Sequence, residues 1–377
     1  MEILRSIQQK IEDTLFKQKV IIIYGARRVG KTTLSKQIIK KHPGSRYINC
    51  ELLQNKVALE TTNSELLFNF IGKHSLIVLD EAQYIKNIGL VLKVITDTFP
   101  NIQIIATGSS SFDLSYSISE PLTGRSREYI LYPFSVQEIV NQNDMMTIHA
   151  GLENILRFGL YPEVYGKNEP DAIEELNNIA SNYLYKDILQ FENIKRSDLL
   201  MNLLRAVALQ LGNEMSYSEL ANMLGENIHT IKRYIELLEK SFVIFRLSSF
   251  SRNLRKEIGK GQKIYFYDLG IRNAIIQNYN PLALRNDTGG LWENFCILER
   301  RKFNQNNRKF LNAYFWRTYD QKEIDYIEEE GGKLLAFEMK FNPKIKTKSP
   351  KEFLHTYPQS EFRIIHYDNY LNFLTGK

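Results

Sequence analysis

The residues best suited to chemistry by type and spacing stand near the start of the chain. Gly25-Ala26-Arg27-Arg28-Val29-Gly30-Lys31-Thr32, followed by Thr33, fits the pattern G-x-x-x-x-G-K-[ST] between an apolar strand and an amphipathic helix. Glycine lets the backbone wrap closely round phosphates with its N–H groups turned inward. Lys31 then neutralises the β and γ phosphates of ATP, the Thr32 hydroxyl ligates Mg²⁺, and the helix that follows adds its positive end. Leu76-Ile77-Val78-Leu79 ends in Asp80-Glu81, which gives an apolar strand delivering two carboxylates to a sheet edge. Asp80 is expected to hold Mg²⁺ and Glu81 to act as general base toward the attacking water. A further strand, Ile102–Ala106, has hydroxyls at its tip, and Thr107 or Ser109 suits a sensor of the γ-phosphate. Arg125 and Arg127 follow Leu122-Thr123-Gly124 in what reads as a loop, where either could supply transition-state charge.

A second constellation lies in the last hundred residues. Glu323–Glu328 and Leu334–Phe341 read as antiparallel strands joined at Glu329–Gly332. If Glu328 faces Lys333, Asp325 faces Ala336, and the period of two puts Asp325, Glu338 and Lys340 on one face. Two such carboxylates can hold Mg²⁺ while the lysine positions or activates water for phosphodiester attack.

These groups need elements to carry them. The first part alternates apolar strands (Val20–Tyr24, Tyr47–Asn49, Leu76–Leu79, Ile102–Ala106) with helices (Thr32–Lys41, Ile88–Phe99), the pattern of a parallel sheet covered on both faces. From Ser135 to about Leu189 the pattern is helical, with loops at Gly159–Pro162 and Asn168–Pro170. Ser216–Gly225 and Asn227–Leu238 then form a helix, a glycine-containing turn and a helix, with Asn227 as cap and His229, Thr230, Lys232 and Arg233 on the early turns that enter a groove in helix-turn-helix proteins. Phe242–Leu247 and Lys263–Tyr267 read as a hairpin, with Arg252, Arg255, Lys256 and Lys260 as a basic wing for phosphates.

Charge agrees with that placement. The chain of 377 residues carries a formal net charge of +6. Between Lys195 and Lys263 there are twelve Lys or Arg against seven Asp or Glu, nearly all of the excess. Cys50 and Cys296 have no metal-ligand spacing, and the amphipathic start lacks the apolar centre of an export signal, so a cytoplasmic protein is expected. The apolar stretches are far shorter than the ~20 residues of a membrane span, and no membrane partner is expected.

Taken together, GARRVGKTTL, LIVLDEAQ, ATGSSS, LTGRSREYILYPFS, GLYPEV and YLYKDIL resemble a group of prokaryotic AAA-superfamily ATPases fused to a C-terminal domain of unknown function. The resemblance implies a sensor at Thr107, an arginine finger at Arg125, and a winged helix and restriction-endonuclease-like domain after the ATPase. The D…ExK arrangement resembles the PD-(D/E)xK nucleases, which implies a further acidic ligand on the preceding helix, Glu293 first and Glu299 in reserve. The fold expected is α/β: a P-loop NTPase parallel sheet (1–133), a helical lid (134–194), a winged helix (195–280) and a small α/β nuclease-like domain (281–377). The function expected is ATP hydrolysis coupled to nucleic acid, DNA first, with a Mg²⁺-dependent nuclease site. The alternatives are a nucleotide-driven switch that binds DNA or a protein without cutting, and a protein-remodelling homo-oligomeric ring.

Overall fold

The structure, a computed structural model, describes residues 3–109, 121–191, 196–251, 261–318, 322–345 and 349–376, and for 182–191 the backbone alone. The expected basic wing, Arg252, Arg255, Lys256 and Lys260, lies outside the described residues. The chain divides into two compact units, Met1–Pro133 with Lys240–Phe242, and Phe134–Glu239 with Val243–Lys377.

In the first unit the strands β1 (Val20–Tyr24), β2 (Arg46–Asn49), β3 (Leu76–Asp80), β4 (Gln103–Gly108) and β5 (Ser126–Ile130) form one parallel sheet in the order β2-β3-β4-β1-β5. Every residue of β1, β3 and β4 is buried. Successive side chains of a strand point to opposite faces, so both faces of the sheet centre are covered. Among the described residues, the α-helices of this unit are α1 (Ser6–Glu12), α2 (Lys31–Lys40), α3 (Leu53–Leu59), α4 (Ser64–Ile71) and α5 (Ile88–Thr98). Strand β5 was not expected. Ser126-Arg127-Glu128-Tyr129-Ile130 lacks a continuous apolar run because it is an edge strand with one side chain in five buried, and its pairing to β1 holds it in place.

The second unit opens with α6 (Val136–Val140), α7 (Met145–Ala150), α8 (Leu152–Phe158) and α9 (Glu169–Phe191). Asn168–Pro170, read as a loop, instead opens α9, because proline is tolerated in a helix's first turn where no intrahelical N–H bond is lost. Gly159 has φ +72, and a Cβ there would lie 2.1 Å from Asp268 Oδ1. The Asp268 carboxylate accepts hydrogen bonds from the Leu160 amide (2.7 Å) and the Ile271 amide (3.1 Å) and so fastens the Gly159 loop to α13 (Leu269–Ile275). Between these lie α10 (Ser197–Leu209), β6 (Glu214–Met215), α11 (Tyr217–Leu224), α12 (Ile228–Lys240), β7 (Ile244–Ser249) and β8 (Gln262–Phe266). Gly225 closes α11 in the left-handed conformation, and the Asn227 side chain accepts from the Thr230 amide at 2.8 Å, which starts α12 where the sequence placed its cap.

The chain continues through α14 (Thr288–Asn306), β9 (Asn312–Arg317), β10 (Glu323–Glu330), β11 (Lys333–Met339), α15 (Lys351–Thr356), β12 (Glu361–Ile365) and α16 (Tyr370–Thr375). Strands from both sides of residue 280 join one seven-stranded sheet, β12-β11-β10-β9-β7-β8-β6, closed by parallel pairing of Ser248 with Tyr314 and Ser249 with Phe315. The β10–β11 register differs from expectation: Glu330 faces Lys333 and Glu328 faces Leu335. The turn is Gly331-Gly332 alone, with φ +58 and +82, because two glycines satisfy a two-residue turn that needs positive φ at both positions. The slip is two residues, which keeps the alternation within Tyr326–Glu330, but the β9–β10 pairing shifts between Ile324 and Ile327, so the face of Asp325 is set by that irregularity and not by the period of two.

Candidate functional site

The loop Gly25–Gly30 leaves the C-terminal end of β1 and turns into α2. Backbone angles explain its composition. A Cβ on Gly25 would lie 2.2 Å from the Leu131 carbonyl oxygen, and Gly30, with φ +98, caps α2 without a side chain. The first N–H groups of a ten-residue helix thus face the loop, together with its positive end. Lys31 is buried, and its ammonium donates to the carbonyls of Gly25 and Ala26, each at 2.9 Å. The lysine therefore braces the loop it serves.

Asp80 ends β3, and Thr107 projects from β4, the strand between β3 and β1. The Thr32 hydroxyl donates to Asp80 Oδ2 at 2.8 Å, and the Thr107 hydroxyl donates to Asp80 Oδ1 at 2.5 Å. Tyr47, on β2, also donates its hydroxyl to Asp80. Thr107 in turn accepts from the Glu81 amide at 3.0 Å. Glu81 adopts a left-handed backbone, φ 55, and its carboxylate accepts from Gln83 Nε2 at 2.5 Å. Gln83 Nε2 also donates to Ser109 at 3.0 Å. The sequence reading missed Tyr47 and Gln83. Tyr47 carries no signal of its own, whereas Gln83 stands two residues from Glu81 in the acidic turn. Beside Asp80, burial raises the Tyr47 phenol above its ordinary range and pushes the Cys50 thiol up to about 12, which leaves both neutral.

The arginines read as finger candidates are placed elsewhere. The Arg125 carbonyl accepts from Val20 N, at the start of β1, whereas the phosphate loop leaves the other end of that strand. Five strand residues, about 16 Å, separate the two levels. Arg125 Nε donates to Asp97 at 2.8 Å. Arg127 lies on β5 opposite Ile21, not in a loop. Both lie at the start of β5, which runs parallel to β1 and comes level with the phosphate-loop end only at Ile130.

Residues 17–140 match a family model described as an AAA domain. A Walker-type ATPase of Pyrococcus abyssi shares the fold over 72% of this chain and 95% of its own, at 16% identity and a TM-score of 0.50. Residues 17–140 thus resemble an AAA domain and have a P-loop fold. Two further models, each described as a domain of unknown function, match residues 149–282 and 288–375. An uncharacterised protein of Mycobacterium tuberculosis is 26% identical over 340 residues, 89% of this chain and 73% of its own. One of Haemophilus influenzae is 24% identical over 373 residues, 93% and 89% of the two chains.

In the second unit, Asp325 and Glu338 fall on facing strands. Asp325 Oδ2 accepts from the Met339 amide at 2.8 Å, and Lys340 Nζ lies 2.8 Å from Glu338 Oε1. Glu293, on α14, joins Asp325. Glu299 does not: it is buried against the Val136 amide (2.7 Å) and the Lys302 ammonium (2.7 Å). Among the described residues, Glu293, Glu323 and Asp325 bring carboxylate oxygens within 4.8 Å of one another, and Glu338 stands near enough for the Asp325 charge to raise it. Among them sits Lys263 of β8, 1% exposed at its side chain, bonded to Glu293 Oε1 at 2.9 Å and to Glu323, and 4.0 Å from Asp325 Oδ1. Tyr265 donates to Glu293 at 2.6 Å. Burial, and then the Asp325 charge, raise Glu293 to about 7 against the pull of Lys263. Burial likewise raises Asp325 and Glu338. The Lys263 ammonium thus bonds two of the three clustered carboxylates.

Proposed function

We propose that the chain binds Mg²⁺–ATP at Gly25–Thr32 and hydrolyses it with Glu81 as base. The observation that carries this reading is the bonded series Thr32–Asp80–Thr107–Glu81, which ties the phosphate loop to the two carboxylates through α2, β3 and β4. Thr32 and Asp80 would hold the ion, and bound Mg²⁺–ATP supplies a polarised phosphoanhydride. The Lys31 ammonium exchanges the Gly25 and Ala26 carbonyls for phosphate oxygens. Glu81 takes a proton from the attacking water, with Gln83 fixing the carboxylate's direction. Thr107 orients Asp80 and Glu81, and Ser109 orients Gln83. ATP turnover by the full chain, lost in Lys31→Ala, tests the assignment.

A second reading concerns α12. His229, Lys232 and Arg233 are exposed on its first turns, whereas Ile231, Tyr234 and Ile235 are buried. The element order from α10 to β8 supports a winged helix with α12 as its outward helix, so the chain is a nucleotide-driven switch that binds nucleic acid, DNA first. Phosphate contacts of that kind weaken with salt. Replacing Lys232 and Arg233 with Ala should weaken duplex binding and flatten its salt dependence, and an unchanged slope would make α12 a spacer or a protein-binding face. The lysine-filled carboxylate cluster favours this non-cutting switch over metal-dependent cleavage.

A further inference from the structure

The group that decides the chemistry of the second unit is one the β8 sequence presents as an ordinary strand residue. Lys263 faces Glu214 on β6 and Leu247 on β7, and its ammonium reaches across to Glu293 of α14 and Glu323 and Asp325 of β10. Its charge also lies 5.6 Å from the centre of the Phe315 ring on β9. Three separate stretches of chain thus meet on one buried nitrogen.

The surrounding charges form one network. Glu338 pairs with Lys340, and Arg317 is shared between Glu323, 3.6 Å from its Nε, and Glu214, at 3.2 Å. Within the inner cluster the Lys263 ammonium is, among the described residues, the one cation bonded to Glu293, and the Tyr265 hydroxyl also donates to that carboxylate. A divalent cation beside this ammonium would place two like charges within a few ångströms in a buried site. An ammonium donates three hydrogen bonds and needs no hydration shell to complete them, so it suits carboxylates gathered within 4.8 Å.

We infer that Lys263 is the resident cation of the Glu293–Glu323–Asp325 cluster, so that this centre is a lysine-neutralised junction between β8, β10 and α14 and the resting chain holds no divalent metal there. The junction does for the seven-stranded sheet what a structural metal does in other proteins: it cross-links elements distant in sequence and removes the repulsion among their carboxylates.

The test uses the full chain with Asp80→Asn, so that the phosphate loop's own carboxylate does not bind the probe, and Mn²⁺ as probe, followed by its electron paramagnetic signal. The parent chain should bind no Mn²⁺ tighter than millimolar. Adding Lys263→Met, which keeps the stem and removes the charge, should create one site at least tenfold tighter, and adding Asp325→Asn to that should abolish it. An Asp325-dependent Mn²⁺ site in the parent, as tight as in Lys263→Met, would overturn the inference. A Lys263→Met chain that folds and gains no site would do the same. The unmutated chain gives a second measurement that does not depend on the variants folding. Acetylation of amines, read by mass spectrometry, should leave Lys263 unmodified with or without millimolar Mn²⁺, while Mn²⁺-dependent modification of Lys263 would show that the ion expels the lysine and would refute the assignment.

Discussion

Asp80 is the residue on which the nucleotide site converges, because it accepts from hydroxyls of α2, β2 and β4 at once. Buried carboxylates are tolerated when every lone pair has a donor, and the Thr32, Tyr47 and Thr107 hydroxyls supply three. Lys31→Ala should abolish turnover, since the loop's other cations, Arg27 and Arg28, are guanidiniums, which do not stand in for an ammonium point charge at the phosphates. Glu81→Gln keeps the shape and loses the base, so nucleotide binding measured by equilibrium titration should persist while hydrolysis falls by about 10² to 10⁴. Hydrolysis at the parent rate would move the base role to another residue. Arg125 gives the opposite expectation. Its ion pair with Asp97 is half-exposed and its level on the sheet is the wrong one, so Arg125→Ala should leave turnover of the dilute monomer unchanged within about twofold, and its stability within ~1 kcal/mol. A large loss appearing only at concentrations where chains associate would mark Arg125 as a group that serves a neighbouring copy.

At the scale of elements, the decisive positions are turns that admit no side chain. Gly159 approaches the Asp268 carboxylate so closely that Gly159→Ala must break the bond to Leu160 or push α13 away, and a loss of about 2–4 kcal/mol in denaturant unfolding is expected. A second anchor ties α10 to α13 and to the start of α14. The buried guanidinium of Arg272 donates to the Ala208 carbonyl and to Asp287, and Arg285 pairs with the same carboxylate. Despite partial burial, the two arginines hold Asp287 down at about 2. A carboxylate lowered by folding contributes stability that is present above its unfolded pKa of ~3.9 and lost below it. Acid titration of the folded chain should therefore show this contribution fading between pH 4 and pH 2, and Asp287→Ala, which strands two buried guanidiniums, should cost about 3–5 kcal/mol at neutral pH. Equal acid profiles for parent and Asp287→Asn would show that the pair adds nothing.

For the whole molecule, the division into two compact units means that one free energy of unfolding does not describe the chain. Calorimetry should resolve two transitions. Mg²⁺–ATP at 100 times its dissociation constant should stabilise the unit that carries Gly25–Thr32 by ~2.7 kcal/mol, and Lys31→Ala should remove that shift. Asp287→Ala should move the other transition. Within the second unit, the seven-stranded sheet pairs strands as far apart as Ser248 and Tyr314, so its assembly waits on long-range pairing and should be slower than that of a helical segment of equal length.

What the sequence determined by itself was local chemistry with a fixed period. The phosphate loop follows from two glycines, a lysine and a hydroxyl at set spacing; β1, β3 and β4 follow from unbroken apolar runs; α12 starts at Asn227 because an amide oxygen caps the Thr230 amide. The β10–β11 hairpin was legible from its two short runs, but its register lies two residues from the expected one, and an irregularity between Ile324 and Ile327, beside Asp325, has no signal in a period of two. What only the tertiary structure decided was which distant groups meet. Strand β5 is held by pairing to β1 rather than by its own propensity, and it set Arg125 and Arg127 away from the phosphate loop. Tyr47 reached Asp80 because β2 lies beside β3. Lys263, sixty residues before Asp325, reads as one more wing-strand lysine until the sheet brings β8 and β10 around the same carboxylates. Spacing along a chain encodes a turn or a face; the partner of a buried charge is set by long-range packing, which no local period records.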